Sequence, residues 1–141
     1  MKNGSVTTAN ISRKNMAKVF LDTNILIDIT RSRGDKNLPE LLGQHATFLS
    51  PLSAHILFYS YKTRVPDVVA HDTIDQLEIV DLTKAILDKS LDGPTPNLED
   101  NIQLHSAVEA DCDVFLTSDQ KLLSLGYFGK TKITSTLSTP V

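Results

Sequence analysis

Apolar residues follow two rhythms along this chain. Val19-Phe20-Leu21, Ala46-Thr47-Phe48-Leu49, Ile79-Val80 with Leu82, and Val114-Phe115-Leu116 are short compact runs, each followed by apolar residues at longer spacing. Compact runs predict buried strands and the longer spacing predicts helices. The first strand breaks abruptly into Asp22-Thr23-Asn24 and resumes as a helical pattern at Ile25, Leu26 and Ile29. Arg31 to Asn37 reads as a loop, and a short helix from Pro39 to Leu42 is closed by Gly43. A strand over Ala46–Leu49 ends at Ser50-Pro51, and Ser53 is placed as the cap of a helix from Ala54 to Lys62. Pro66 imposes a break. A helix is predicted over Val68–Leu77, a strand over Glu78–Leu82 and a helix over Thr83–Leu91. Gly93-Pro94-Thr95-Pro96-Asn97 is a loop, with Asn97 capping a helix that carries Leu98, Ile102, Leu104, His105 and Val108. The last elements are a strand over Asp113–Thr117, a short helix from Gln120 to Leu125 closed by Gly126, and an edge strand over Lys132–Thr134.

Strands alternating with helices, joined by connections too long for hairpins, imply a mainly parallel sheet covered on both faces. The expected architecture is a three-layer α/β/α sandwich in a single domain over residues 18–141. The polar, aperiodic start of the chain is read as a disordered extension over residues 1–17.

Composition narrows the function classes. The chain has 141 residues, 40% hydrophobic and 22% charged, an ordinary globular balance. Fourteen basic against seventeen acidic residues give a net charge of −3, so no global positive field marks a nucleic-acid binder. Carboxylates gathered around a metal would shift the balance this way while a rim stayed basic. Cys112 is the only cysteine, which excludes an intrachain disulfide and points to a reducing compartment. No run is long and apolar enough to span a bilayer, and no secretory leader is seen; a cytoplasmic protein is expected.

The candidate chemistry lies where strands end. Leu21-Asp22 and Leu116-Thr117-Ser118-Asp119 both put an acid just past an apolar run. In one parallel sheet both emerge at the carboxyl edge, where open α/β sheets gather ligands. Asp100 sits in the first turn of the helix preceding the fourth strand, which brings it to the same edge. Three like charges there raise one another's pKa unless a cation neutralises them, and oxygen-only ligation suits Mg²⁺ or Mn²⁺. Ordinary roles stand beside this one. Asp22 and Asp119 each fit a helix cap, and Asp100, like Glu99, suits the positive end of its helix.

Asp22-Thr23-Asn24 after a strand, Ser50-Pro-Leu-Ser53 opening a helix, Leu98-Glu99-Asp100 opening another, and Phe115-Leu116-Thr117-Ser118-Asp119 together resemble the PIN-domain family. Within it the chain is similar to the VapC-like toxins of type II toxin–antitoxin pairs, over about residues 18 to 135. The resemblance implies an Mg²⁺- or Mn²⁺-dependent endoribonuclease. Asp22, Asp100 and Asp119 would be metal ligands, with Asn24 and Thr117 as hydrogen-bonding support. It also implies an RNA substrate, a cognate antitoxin and a homodimer. Lys62, Arg64 and Lys121 are candidate phosphate contacts. One departure stands out: the family's glutamate three residues after the position of Ser53 is Ile56 here. Neighbouring His55 is turned about 100° away on a helix and reads as a surface or packing residue. Ile56 motivates a second reading, a catalytically weakened module that binds RNA or protein. A receiver-type regulatory domain fits less well, because the first strand ends in a lone Asp.

Overall fold

Residues 16–137 are described by a computed structural model. Among them β1 (Lys18–Leu21), β2 (Ala46–Leu49), β3 (Glu78–Ile79), β4 (Val114–Leu116), β5 (Tyr127–Phe128) and β6 (Thr131–Thr134) form one sheet in the order β3-β2-β1-β4-β6-β5. β1 lies inside it, paired in parallel with β2 and with β4. The in-register pairs Phe20↔Phe48 and Phe20↔Phe115 fix its position. Because β1 is covered on both faces, Val19, Phe20 and Leu21 are all apolar, which is why its sequence reads as a continuous run after Lys18. Val19 and Leu21 face a cluster completed by Ile25 and Leu26 of α1 (Thr23–Thr30) and Leu42 of α2 (Leu38–Leu42). Leu57 of α3 (Pro51–Ser60) and Ala70 of α4 (Val68–Asp75) belong to it too. Phe20 and Phe115 point the other way, stacked with ring centroids 5.6 Å apart. They join Leu104 and Ala107 of α6 (Leu98–Glu109) and Leu122 of α7 (Gln120–Leu123). α5 (Lys84–Leu91) packs against α6. Each fully buried Phe or Leu contributes roughly 1.5–3 kcal/mol relative to exposure, so the two faces of β1 anchor both helical layers. This is the expected three-layer α/β/α arrangement.

The order in the sheet positions the site. From β1 the chain winds through β2 to β3 in one direction and returns to β4 and β6 in the other. The reversal falls between β1 and β4, and the crevice outside the carboxyl ends at such a point is where doubly wound sheets bind ligands. Asp22 follows β1 and Thr117 follows β4, and the two strand ends are tied by Asp22 N–H donating to the Leu116 carbonyl at 3.0 Å.

Several boundaries differ from expectation. α3 starts at Pro51 and is capped by Ser50, whose hydroxyl accepts from the Leu52 amide at 3.1 Å. Ser53 is therefore inside the helix and buried, not its cap; Ser50-Pro51 both closes β2 and opens the helix, an N-cap followed by proline at the first helical position. β3 is only Glu78–Ile79, both exposed, because it is a sheet edge with one neighbour. β6 (Thr131–Thr134) is not an edge strand. It lies between β4 and a two-residue antiparallel strand, β5 (Tyr127–Phe128), that its pattern did not announce. The extension expected over residues 1–17 lies outside the described residues apart from Met16 and Ala17. Ala17 belongs to the fold, its amide donating to His45 Nδ1 at 2.9 Å.

Candidate active site

Asp22 is 4% exposed at the point where β1 becomes α1. Its Oδ1 accepts from the Thr23 amide at 2.8 Å, the ordinary N-cap bond. Its Oδ2 accepts from the Thr117 hydroxyl at 2.7 Å and from Asn24 Nδ2 at 3.1 Å. Asn24 also reaches Thr117 Oγ1 at 3.3 Å and accepts from the Ser118 amide at 3.2 Å. Thr117, fully buried, in turn accepts from the Asp119 amide at 3.0 Å. Asp119 caps α7 through Oδ1, which accepts from the Lys121 amide at 2.9 Å. For Asp22 and Asp119 the cap role and the strand-end position thus coincide. One oxygen of each holds a helix start, and Oδ2 of Asp22 is fixed by side chains from both central strand ends.

Asp100 completes the acidic rim from the first turn of α6, where Asn97 Oδ1 caps the helix by accepting from its amide at 3.0 Å. Asp100, Asp119 and Lys121 line one cleft of about 570 Å³, walled otherwise by the loop over residues 94–97 and by Leu122 and Leu125. The acids sense one another. Burial pushes the Asp22 carboxyl above its usual range and the Asp119 charge adds to it, against the lowering bonds from Thr117, Thr23 and Asn24. Asp100 is raised by partial burial and then by the charges of Asp22 and Asp119, with Lys121 opposing. Glu99 is raised too, by partial burial first and then by Asp100 and Asp22.

Asp22, Asn24, Asp100, Thr117, Asp119 and Lys121 are therefore brought to one edge. Lys62 and Arg64 are not. They follow the C-terminus of α3, which starts at that edge and runs ten residues, or about 15 Å, away from it. Ile56 is half-buried one turn after Ser53, and His55 is exposed, stacked on Tyr59 at 6.0 Å between centroids.

The oxygen donors and the mutual elevation of the acids fit a hard divalent cation in kind. No three described His, Cys, Asp or Glu side chains stand close enough together to enclose an ion. The arrangement thus fits a cation that keeps most of its water and takes one or two carboxylates directly, as Mg²⁺ commonly does.

Residues that sequence patterns did not single out support the site from below. Gln103 of α6 is fully buried and donates from Nε2 to Ser53 Oγ at 2.8 Å and to Thr23 Oγ1 at 3.1 Å. Thr23 and Ser53 are themselves bonded at 2.8 Å, so α1, α3 and α6 meet on three polar side chains. Asn101, also buried, holds the cleft wall. Its Nδ2 donates to the carbonyls of Ser90 at 2.9 Å and Thr95 at 2.8 Å, and its Oδ1 accepts from the Thr95 amide and hydroxyl. The available signal was polar residues among the apolar positions of one helix, Asn101 and Gln103 beside Ile102 and Leu104.

No family model matches the chain, and no curated protein matches it. Solved structures do. VapBC2 from Rickettsia felis, bound to a DNA fragment from their promoter, aligns with a TM-score of 0.58 at 16% identity over 83% of this chain and 97% of that one. VapC20 from Mycobacterium tuberculosis, a Sarcin-Ricin loop cleaving toxin, aligns with a TM-score of 0.58 at 11% identity over 81% of this chain and 98% of that one. At such identities the likeness is one of architecture, and the architecture of this chain is the VapC-like PIN-domain fold.

Proposed function

We propose that this protein is a metal-dependent endoribonuclease, the toxin of a toxin–antitoxin pair. The observation that carries the reading is Asp22: a buried carboxylate fixed between the ends of β1 and β4 by Thr117 and Asn24, with Asp119 and Asp100 near enough to raise it or be raised by it. The VapC structures that share the fold include a toxin named for cleaving the Sarcin-Ricin loop, which favours RNA over other phosphodiesters.

One or two of Asp22, Asp100 and Asp119 would hold Mg²⁺ or Mn²⁺ directly, with water completing its shell. Such an ion supplies a Lewis acid for the scissile phosphate and a water of lowered pKa. The chain's own residues do the rest. Thr117 and Asn24 lock the Asp22 carboxylate in one rotamer, as partners of a ligating carboxylate do. Lys121 brings a cation to the rim of the cleft, where it lowers Asp100 and suits a phosphate oxygen. The Thr23–Ser53–Gln103 bonds fix the starts of α1 and α3 beneath the acids. A cognate antitoxin and a second copy of the chain are the proposed partners. Among the described residues no helix is long and apolar enough to cross a membrane.

A second reading has its own observation. Ile56 stands where the family places a glutamate, and among the described residues no three acids enclose an ion. A module that binds RNA or protein without cutting fits both facts. Cleavage of assorted RNAs with Mn²⁺ or Mg²⁺ separates the two, comparing the native chain with Asp22→Asn and Ile56→Glu. Native activity abolished by Asp22→Asn supports the nuclease. Activity that appears only with Ile56→Glu establishes the binding module, and native cleavage that survives Asp22→Asn overturns the site.

A further inference from the structure

The outer face of α3 carries features that the acidic cleft does not use. Ser53, in its first turn, bonds Thr23, whose amide donates to Asp22, so the start of the helix is fastened to the acid-bearing edge. His55 and Tyr59 lie one turn apart on the exposed face, rings stacked at 6.0 Å and 24°, and Tyr59 is 78% exposed. Residues four apart share one face of a helix, so the pair forms a line leading away from the edge. That line ends in cations. Lys62 and Arg64 are exposed in the loop that follows, and neither makes an ion pair among the described residues. Arg31, from the end of α1, stacks on the Tyr61 ring at 3.8 Å, and Arg33 donates to the Tyr61 hydroxyl at 2.9 Å. Arg33 is partly neutralised by Asp28 at 3.6 Å, and Asp67, which caps α4 through the Ala70 amide, lines the same crevice as Arg31, so the cations Arg31, Lys62 and Arg64 outnumber it.

A chain of net charge −3 thus carries a cationic end and an aromatic strip joining it to its acidic edge. Flat π-faces followed by cations are the elements of single-strand recognition, where bases stack without sequence preference and the backbone follows the charge. We propose that the exposed face of α3 is a track for single-stranded RNA, with bases stacked on Tyr59 and His55 and phosphates held by Lys62, Arg64 and Arg31. This rests on the ribonuclease reading and adds to it how a strand is presented to the cleft. It also gives Lys62 and Arg64 a place on the polymer away from the scissile phosphate. A protein partner would favour an aliphatic strip. Val65, Val68 and Val69 provide one, but beyond the cations and not along the line from the acids.

The test uses the full chain carrying Asp22→Asn and a fluorescein-labelled, mixed-sequence single-stranded RNA, read by anisotropy across a salt series. Tyr59→Ala is expected to weaken binding about tenfold at fixed salt, the loss of one stacked base. Lys62→Gln with Arg64→Gln is expected to flatten the slope of log K against log salt by about 1.4, two phosphate contacts at about 0.7 each. Melting temperatures held at the parent's value show that the variants are folded. Affinity and slope left unchanged by these substitutions overturn the track. So does the absence of RNA binding, or loss of a co-purifying protein partner with RNA affinity intact. The ribonuclease reading fails separately, when the native chain cuts no RNA or when Asp22→Asn cuts as well as native.

Discussion

Thr117→Val removes a hydroxyl while keeping the β-branched shape of a fully buried residue, so packing is nearly conserved. Three bonds disappear: the 2.7 Å donation to Asp22 Oδ2, the 3.0 Å acceptance from the Asp119 amide, and the longer 3.3 Å acceptance from Asn24 Nδ2, which adds little because that amide keeps its bond to Asp22. A hydrogen bond to a charged group contributes about 1.5–3 kcal/mol and a neutral one about 0.5–1.5, so the substitution costs about 2–4 kcal/mol while Asp22 is ionised. The cost depends on pH with a definite sign. Asp22 is raised in the folded protein by burial, and the Thr117 hydroxyl is the strongest influence holding it down. An acid raised on folding subtracts stability as pH climbs from its unfolded value through its folded one. Thr117→Val raises the folded value further and widens that window. Below it Asp22 is protonated in both proteins and only neutral bonds are lost, about 1–2 kcal/mol. Urea melts of both proteins at about pH 8 and at about pH 3, below the unfolded carboxyl range, therefore give a larger difference at the higher pH. A difference that is independent of pH, or larger at low pH, would refute the placement of a charged Asp22 against this hydroxyl.

Other consequences follow from the same geometry. Asn24→Ala leaves Asp22 with one fewer side-chain partner and should reduce Mn²⁺ affinity or RNA cleavage about 10- to 100-fold, measured by titration and by turnover. Manganese should raise the melting temperature of the native chain, by about 2.7 kcal/mol of stability at a hundredfold excess over Kd, and Asp22→Asn should abolish the rise; an equal rise in both would place the ion elsewhere. Ser50→Ala should cost about 1 kcal/mol in urea melts, since Ser50 and not Ser53 caps α3. Gln103→Met keeps the volume and leaves Thr23 and Ser53 bonded to each other, while removing an Oε1 that has no partner among the described residues. Two lost bonds at about 1 kcal/mol each are offset by about 1–3 kcal/mol for the relieved oxygen, so its urea midpoint should stay near native.

The layered fold was legible because β1 and β4 are buried on both faces, and double burial writes an uninterrupted apolar run into the chain. Edges carry no such mark. β3 has two exposed residues and β5 only Tyr127 and Phe128, so neither has enough length for a period to appear. Their existence depends on a neighbour strand that no local window contains. The start of α3 was misplaced for a different reason: Ser-Pro is a stop after a strand and a start before a helix, and here one dipeptide does both.

The site divides along the same line. Asp22, Asp119 and Thr117 could be read together because strand ends in a parallel sheet share an edge, a rule of topology that needs no side-chain geometry. Lys62 and Arg64 were grouped with them by charge alone, and the length of α3 separates them. Gln103 could not be found, since its role exists only where three helices meet. It is also where the departure at Ile56 becomes physically intelligible. Ile56 is apolar and half-buried one turn along α3 from Ser53, and the buried Gln103 amide bonds Thr23 and Ser53. The polar weight beneath the acids is thus carried by neutral hydrogen bonds from α6 and not by a fourth carboxylate from α3. Fewer carboxylates at an edge repel one another less, so Ile56→Glu is expected to raise affinity for Mn²⁺, read by titration, as well as RNA cleavage; unchanged affinity would place position 56 away from the acids.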